Sequence, residues 1–371
     1  VEVLPDAIKV SGINGQTAGN PVSGNLTMQL ASPHKIEGDL SLGTVDLAWL
    51  GDTTYGPVFD STHGGLNAET VSLPAFPGVE ASVMLKAGNL QTGILESVSG
   101  FSTRLNQSNG RLSLEEINGD WMGGKVAGSL VMATGEKAGI FRSNIKVTGV
   151  DPQAHMWQFA GAPVATGRFD ASFNAEATGA SVHDMLVSAG GSGDIRANGL
   201  TIRGINVAAF APLLAEADKI EGEIDASKTK PLVDALIYNG EVKADSLVMP
   251  FTINNGILRL QNVGLPAGEA NLTGTLNLDL LEQTVDGNVT VAFNPGQEAQ
   301  AGGEPSVGLV YSGPVATPSV GTDVAAISGY LSLRAFEKER RRVETLQANI
   351  LEKQRLRREA ALYVTRAAER Q

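Results

Sequence analysis

The sequence predicts a mainly β protein: a long, curved, mostly antiparallel sheet forming a hydrophobic groove, with short helical caps and a long C-terminal α-helix. Three observations predict it. Apolar residues recur at every second position in short runs from Val1 to about Val320, the period of a strand with one buried face. The runs open on Gly or a Gly-containing turn, and Gly makes up 44 of 371 residues, well above its usual share of about 7%. From about Asp323 onward there is no proline, glycine occurs once at Gly329, and Arg, Glu, Leu, Ala and Gln dominate, good helix formers all.

The strands come in order along the chain. In Asn25 to Leu30, Leu26, Met28 and Leu30 oppose Thr27 and Gln29; in Phe169 to Glu176, Phe169, Ala171 and Phe173 oppose Asp170, Ser172 and Asn174. Leu258 and Leu260 alternate with Arg259 and Gln261, and Leu272, Leu276, Leu278 and Leu280 alternate with Thr273, Thr275, Asn277 and Asp279. Val289, Val291 and Phe293 oppose Asn288 and Thr290. One oily and one wet face mark an antiparallel sheet rather than the doubly buried strands of a parallel α/β sheet. The residues expected to line the groove are Phe169, Phe173, Leu258, Leu260, Leu276, Leu278, Leu280, Val289 and Val291.

Helical signals interrupt the pattern briefly. Asp151 to Ala160 opens on an N-cap residue followed by Pro152, Asn206 to Lys219 carries apolar residues at helical spacing, and Ser181 to Ala189 is a weaker third. Each is short enough to cap a sheet end. The final segment reads as a helix whose Phe336, Val343, Leu346 and Ile350 fall at spacings of seven, three and four, but Lys353 and Arg357 occupy the next seam positions. Packing along the sheet is therefore expected in place of a coiled coil. The chain divides into a β region, 1–320, and a basic helix, 321–371.

Composition closes several classes. With 42% hydrophobic and 18% charged residues the chain is too apolar for disorder, and no apolar run approaches the ~18 residues of a membrane-spanning helix. Val1 is not an initiator methionine, and an upstream targeting segment is expected. The absence of cysteine excludes disulfides, thiolate metal sites and cysteine nucleophiles. Residues 334–371 hold 11 basic and 6 acidic side chains, leaving 17 and 34 in the rest: a body at −17 and a tail at +5. Such a body repels nucleic-acid phosphates, and nucleic acid is not an expected partner.

Chemical motifs fail when tested. Gly119, Gly124 and Lys125 start a phosphate-loop pattern, but Val126 replaces the hydroxyl residue and Val126 to Met132 reads as a strand; a glycine-rich hairpin turn is expected. His34, His63, His155 and His183 are scattered, and Asp218, Glu221, Glu223 and Asp225 lack the ligand alternation of a calcium loop. No Gly-x-Ser-x-Gly elbow occurs. No catalytic residue, metal or cofactor is expected, and the protein does not read as an enzyme.

Gly191-Ser192-Gly193-Asp194-Ile195 and then Asn198-Gly199-Leu200-Thr201-Ile202-Arg203-Gly204-Ile205 are similar to the C-terminal glycine and aliphatic signature of the AsmA family, related to the TamB-type envelope bridge proteins. Val207 to Ala215 resembles the helix after that signature, Pro250 to Leu258 the family's strand–turn–strand unit, and Ala270 to Leu280 its closing strand. Glu37 to Leu40 with Val45 to Leu47, and Gly123 to Gly128, resemble earlier repeats. The resemblance covers most of 1–320, best over about 100–320. It implies a periplasmic bacterial envelope protein with an inner-membrane anchor upstream. Its β groove would move phospholipid between the inner and outer membranes or serve outer-membrane biogenesis, with acyl chains and envelope membrane proteins as partners. Alternation alone leaves open a structural or adhesive β-repeat protein with a closed core, a transmembrane barrel and a hydrolase, because open and self-packed oily faces share one pattern.

Overall fold

The computed structural model describes residues 1–369 except 18, 50–65, 71–77, 94–95 and 135–137. Its strands are β1 (Glu2–Val3), β2 (Ala7–Thr17), β3 (Asn20–Gln29), β4 (His34–Asp46), β5 (Val79–Gln91), β6 (Val98–Ser108), β7 (Arg111–Trp121), β8 (Gly124–Thr134), β9 (Gly139–Val150), β10 (Gln158–Phe159), β11 (Ala162–Pro163), β12 (Ala165–Gly179), β13 (Gly190–Arg203), β14 (Glu241–Asn254), β15 (Ile257–Ala267), β16 (Ala270–Asp279), β17 (Thr284–Phe293), β18 (Ser306–Pro314) and β19 (Ser319–Asp323). Helices with both ends among the described residues are α1 (Val182–Ser188), α2 (Phe210–Ala217), α3 (Ala226–Ile237) and α4 (Ala325–Ala368).

All strands but the small β10–β11 ribbon belong to one 17-stranded sheet. Pairing runs in chain order from β1 to β9, passes from β9 to β12, and continues to β19. It is antiparallel throughout except between β4 and β5, which run parallel, Leu40 beside Leu85. The sheet is not closed. Short turns drive this meander. Between β7 and β8, Met122 and Gly123 both have positive φ, 46° and 71°, the backbone of a two-residue turn whose twist matches antiparallel strands. This is the expected glycine-rich hairpin.

Register sorts the two faces. One row of cross-strand partners reads Leu26–Gly38–Val83–Leu105–Leu114–Leu130–Ser143–Ala175–Gly191–Ile253–Leu258–Leu278–Val285. Apart from Ser143 it is wholly apolar or glycine. The neighbouring row on the other face reads Ser129–Asn144–Asn174–Ser192–Thr252–Arg259–Asn277–Asp286–Ser312, without an apolar member. Paired residues share a face, so the alternation read in single strands adds up to one apolar surface.

The sheet curls. Trp157, whose carbonyl accepts from the Val164 N–H just before β12, has its ring 6.2 Å from that of Tyr311 on β18. Six strand spacings in a flat sheet would hold β12 and β18 about 29 Å apart.

Helices fill one end of the apolar face. α2, α3 and the first turns of α4 pack Phe210, Leu213, Val233, Ile237, Ile327, Tyr330 and Leu331 against Leu265, Leu272, Val291, Phe293, Val307 and Leu309 of β15 to β18. Phe210 stacks on Phe293 with centroids 5.5 Å apart. Side chains cap α1 and α3: Ser181 Oγ accepts from the Asp184 N–H and Asp225 Oδ1 from the Lys228 N–H, both at 3.0 Å, as N-cap residues do.

Several expectations are corrected. The chain from Asp151 to Ala160 forms only a 3₁₀ turn, Gln153–His155, before the β10–β11 ribbon. The second helix starts at Phe210, not Asn206. α3 went unexpected, because Pro231 stands inside it and Asp225 reads as part of an acidic turn. The long helix does not lie along the sheet: every described residue from Lys338 to Val364 is exposed. Only its base joins the body.

Candidate functional site

The apolar face is covered by the helices at one end and left partly unfilled elsewhere. A cavity of about 290 Å³ lies between β12–β14 and β15–β18. Its walls are Phe169 and Ala165 of β12, Leu200 and Ile202 of β13, Leu247 and Met249 of β14, Leu260, Val263 and Leu265 of β15, Leu272 and Leu276 of β16, Val285 and Val289 of β17, and Tyr311 of β18. Met156 and Trp157 of the segment before β12 also line it, and Thr275 and Asn288 are the polar residues at its wall. A second cavity, of about 360 Å³, lies toward the other end of the sheet, lined by Ile13, Val22, Leu40, Leu42, Val45, Trp49, Leu85 and Leu105.

Apolar side chains link the two. Leu40, Leu42 and Leu105 pack on a cluster built from Leu85, Phe101, Leu114 and Ile117, which Trp121 and Val126 also touch. Trp121 and Val126 in turn join Val147, Val150 and Phe169, and Phe169 lines the first cavity. The track crosses the strands, so its direction is the axis of the sheet.

Of the residues expected from sequence, Phe169, Leu260, Leu276 and Val289 line the first cavity. Phe173, Leu258 and Leu278 share the apolar face and are partly buried outside that lining. Leu280 is not on a strand: β16 ends at Asp279, and Leu280 sits in the next turn, its N–H donating to the Gly256 carbonyl. Val291 is completely buried under the helices and offers a guest no surface. Leu200, Leu247, Met249, Leu265 and Tyr311 line the cavity without having been expected from sequence; around Leu247 and Met249 the alternation is masked because Val248 between them is apolar yet exposed.

Electrostatics agree with a dry site. Burial pushes the Tyr311 phenol up to about 12, with a smaller contribution from Tyr238; it stays a neutral donor at physiological pH. Among the described residues no group of three His, Asp or Glu side chains converges as a metal site would. No described helix is long and apolar enough to cross a membrane.

The β14–β15 wall has a gap. The two strands form one hairpin but pair only from Phe251–Leu260 to Asn254–Ile257, whereas β13 and β14 pair along their whole length. Asn255 and Gly256 both have positive φ, 53° and 72°, so Asn254 and Ile257 close a two-residue turn as a hydrogen-bonded pair. Alternation then makes Pro250 the next residue due to donate toward β15 after Thr252. Proline has no N–H, and the ladder stops there. On β15, Asn262 adopts φ 54° within a bulge between Leu260 and Val263, bending the strand away. Compared with known proteins, the chain matches no family model, no curated protein and no solved structure.

Proposed function

We propose that this chain is a non-enzymatic groove protein of the bacterial envelope that shelters phospholipid acyl chains along its apolar face and passes them on. The observation that carries the reading is the apolar register row running from β3 to β17, with unfilled volume at two places along it. A methylene leaving water for such a surface gains about 0.8 kcal/mol. The aliphatic lining presents no single strong contact, so a chain can slide from one strand's side chains to the next without being trapped. The resemblance to the AsmA family supports a periplasmic setting, an inner-membrane anchor upstream, and transfer between the two membranes or outer-membrane biogenesis.

One observation favours a second reading at the helix-covered end. Val291, Val307 and Leu309 are fully buried there, as a structural β array with a closed core requires. Phospholipid loading separates the two. The 371-residue chain, incubated with phospholipid vesicles, re-isolated and sprayed under native conditions, should carry bound phospholipid. Leu276→Asp should reduce that load several-fold, while Thr273→Asp on the opposite, exposed face should not. By contrast, Leu309→Ala should cost about 2–5 kcal/mol of stability in urea titration, because it empties packed core. Protein that stays free of lipid would overturn the groove reading.

A further inference from the structure

The gap between β14 and β15 opens on the cavity. Leu247 and Met249 on one edge and Val263 and Leu265 on the other all line it. The gap narrows to a vertex at Phe251–Leu260 and ends at the helix core, where Val242 and Ala267 are buried. A second proline holds it open from that end. Ala267 and Ala270 close the β15–β16 turn as partners, so Pro266 is the residue whose missing N–H faces β14. The opposite lip is bridged by the Trp157–Tyr311 contact.

We propose that this gap is a side door for lipid: an acyl chain enters the cavity tail first between β14 and β15, and its polar head stays at the strand edges. The proposal rests on the acyl-groove reading above. A methylene chain needs no hydrogen-bond partner, and the four flanking side chains offer it apolar contact. A charged head carried into that lining would lose its hydration with no partner to replace it, so it stays outside. At the rim, backbone N–H and C=O groups that no ladder uses remain to receive it.

The chain has no cysteine, so Ser246→Cys with Gly264→Cys creates one thiol pair, one on each edge. Both positions are exposed and pair outward with Asn198 and Thr273. A Cβ at Gly264 meets nothing within 4 Å. The pair is bridged with a short bismaleimide containing a cleavable disulfide, and exchange of the fluorescent fatty acid dansyl-undecanoate is measured by stopped flow. Bridging should slow uptake and release by about tenfold or more, a barrier change of ~1.4 kcal/mol, leave the amount bound unchanged, and be reversed on reduction. Pro250→Thr, which restores the missing donor without a linker, should slow exchange in the same direction. Unchanged rates with the bridge complete by mass, and with Pro250→Thr, would overturn the door while leaving the groove standing. Failure of the unmodified protein to bind the probe at all would bring down both.

Discussion

At Arg334 a single guanidinium joins three parts of the chain. Its side chain is only 7% exposed and donates to Asp218 just beyond α2 and, at 2.7 Å, to Glu298 in the turn after β17. Lys338 donates to the same Asp218 at 2.7 Å, and the Tyr330 hydroxyl donates to the Glu298 carbonyl at 2.7 Å. The Arg334 hydrogen bond holds the Asp218 carboxyl below its ordinary range, with Lys338 adding to the effect against a desolvation cost. Asp218 therefore stabilises the folded state fully above its unfolded pKa, about 3.9, and that contribution is lost as pH falls through the lower folded value. Acidification from pH 5 to 3 should lower the protection factors of amides in the first turns of α4, each taken relative to the intrinsic exchange rate at its own pH. Arg334→Met should remove most of this pH dependence and cost about 2 kcal/mol at pH 7 in urea unfolding. A clamp that survives pH 3 unchanged would contradict the assignment. Within the acidic cluster visible in sequence, Asp218 thus serves as a socket for Arg334 and Asp225 as the cap of α3, roles that depend on Arg334 and the α3 fold.

Among the elements, α4 divides at Lys338. Ile327, Tyr330 and Leu331 are buried in the core, and Thr229 of α3 donates to Ser328 at 3.3 Å. Beyond Lys338 the helix holds itself by pairs one turn apart, such as Arg342–Glu339 at 2.9 Å and Arg355–Glu359 at 3.5 Å, each worth about 0.3–0.5 kcal/mol. A chain ending at Arg342 should accordingly show the same urea stability as the full chain, within about 0.5 kcal/mol; a larger loss would mean the distal helix packs on the body. Sequence made most elements legible, because the two-residue period and glycine turns are local properties. Where it failed, a local signal was overruled. Asp151-Pro152 resembles a helix start, yet Trp157 and Phe159 are drawn across to Tyr311 and Tyr238, each at 6.2 Å. Pro231 argues against α3, yet Val233 and Ile237 bury completely, which outweighs one lost backbone bond.

For the whole molecule, strands pair only with their neighbours in the sheet, so stability should vary along it as it does in repeat proteins. β3 has no fully buried residue, while Val291, Val307 and Leu309 are inaccessible beneath the helices. Native-state amide exchange should be slowest in β16 to β18 and fastest in β2 and β3; uniform protection would mean the sheet opens as one cooperative unit. Whether the oily face stays open was not legible from alternation, since packed and vacant faces require the same residues. The difference comes from α2, α3 and α4 settling at one end and from the divergence of β14 and β15. The latter left a trace in sequence: Pro250 and Pro266 each stand within an otherwise strand-like run. Those prolines carry a further consequence. Splayed strands with spare amides invite foreign polypeptide to add itself and seed aggregates, but an incoming strand would find donors missing from both margins. The breach is therefore inhospitable to protein, and the body can keep a wall permanently ajar without recruiting copies of itself.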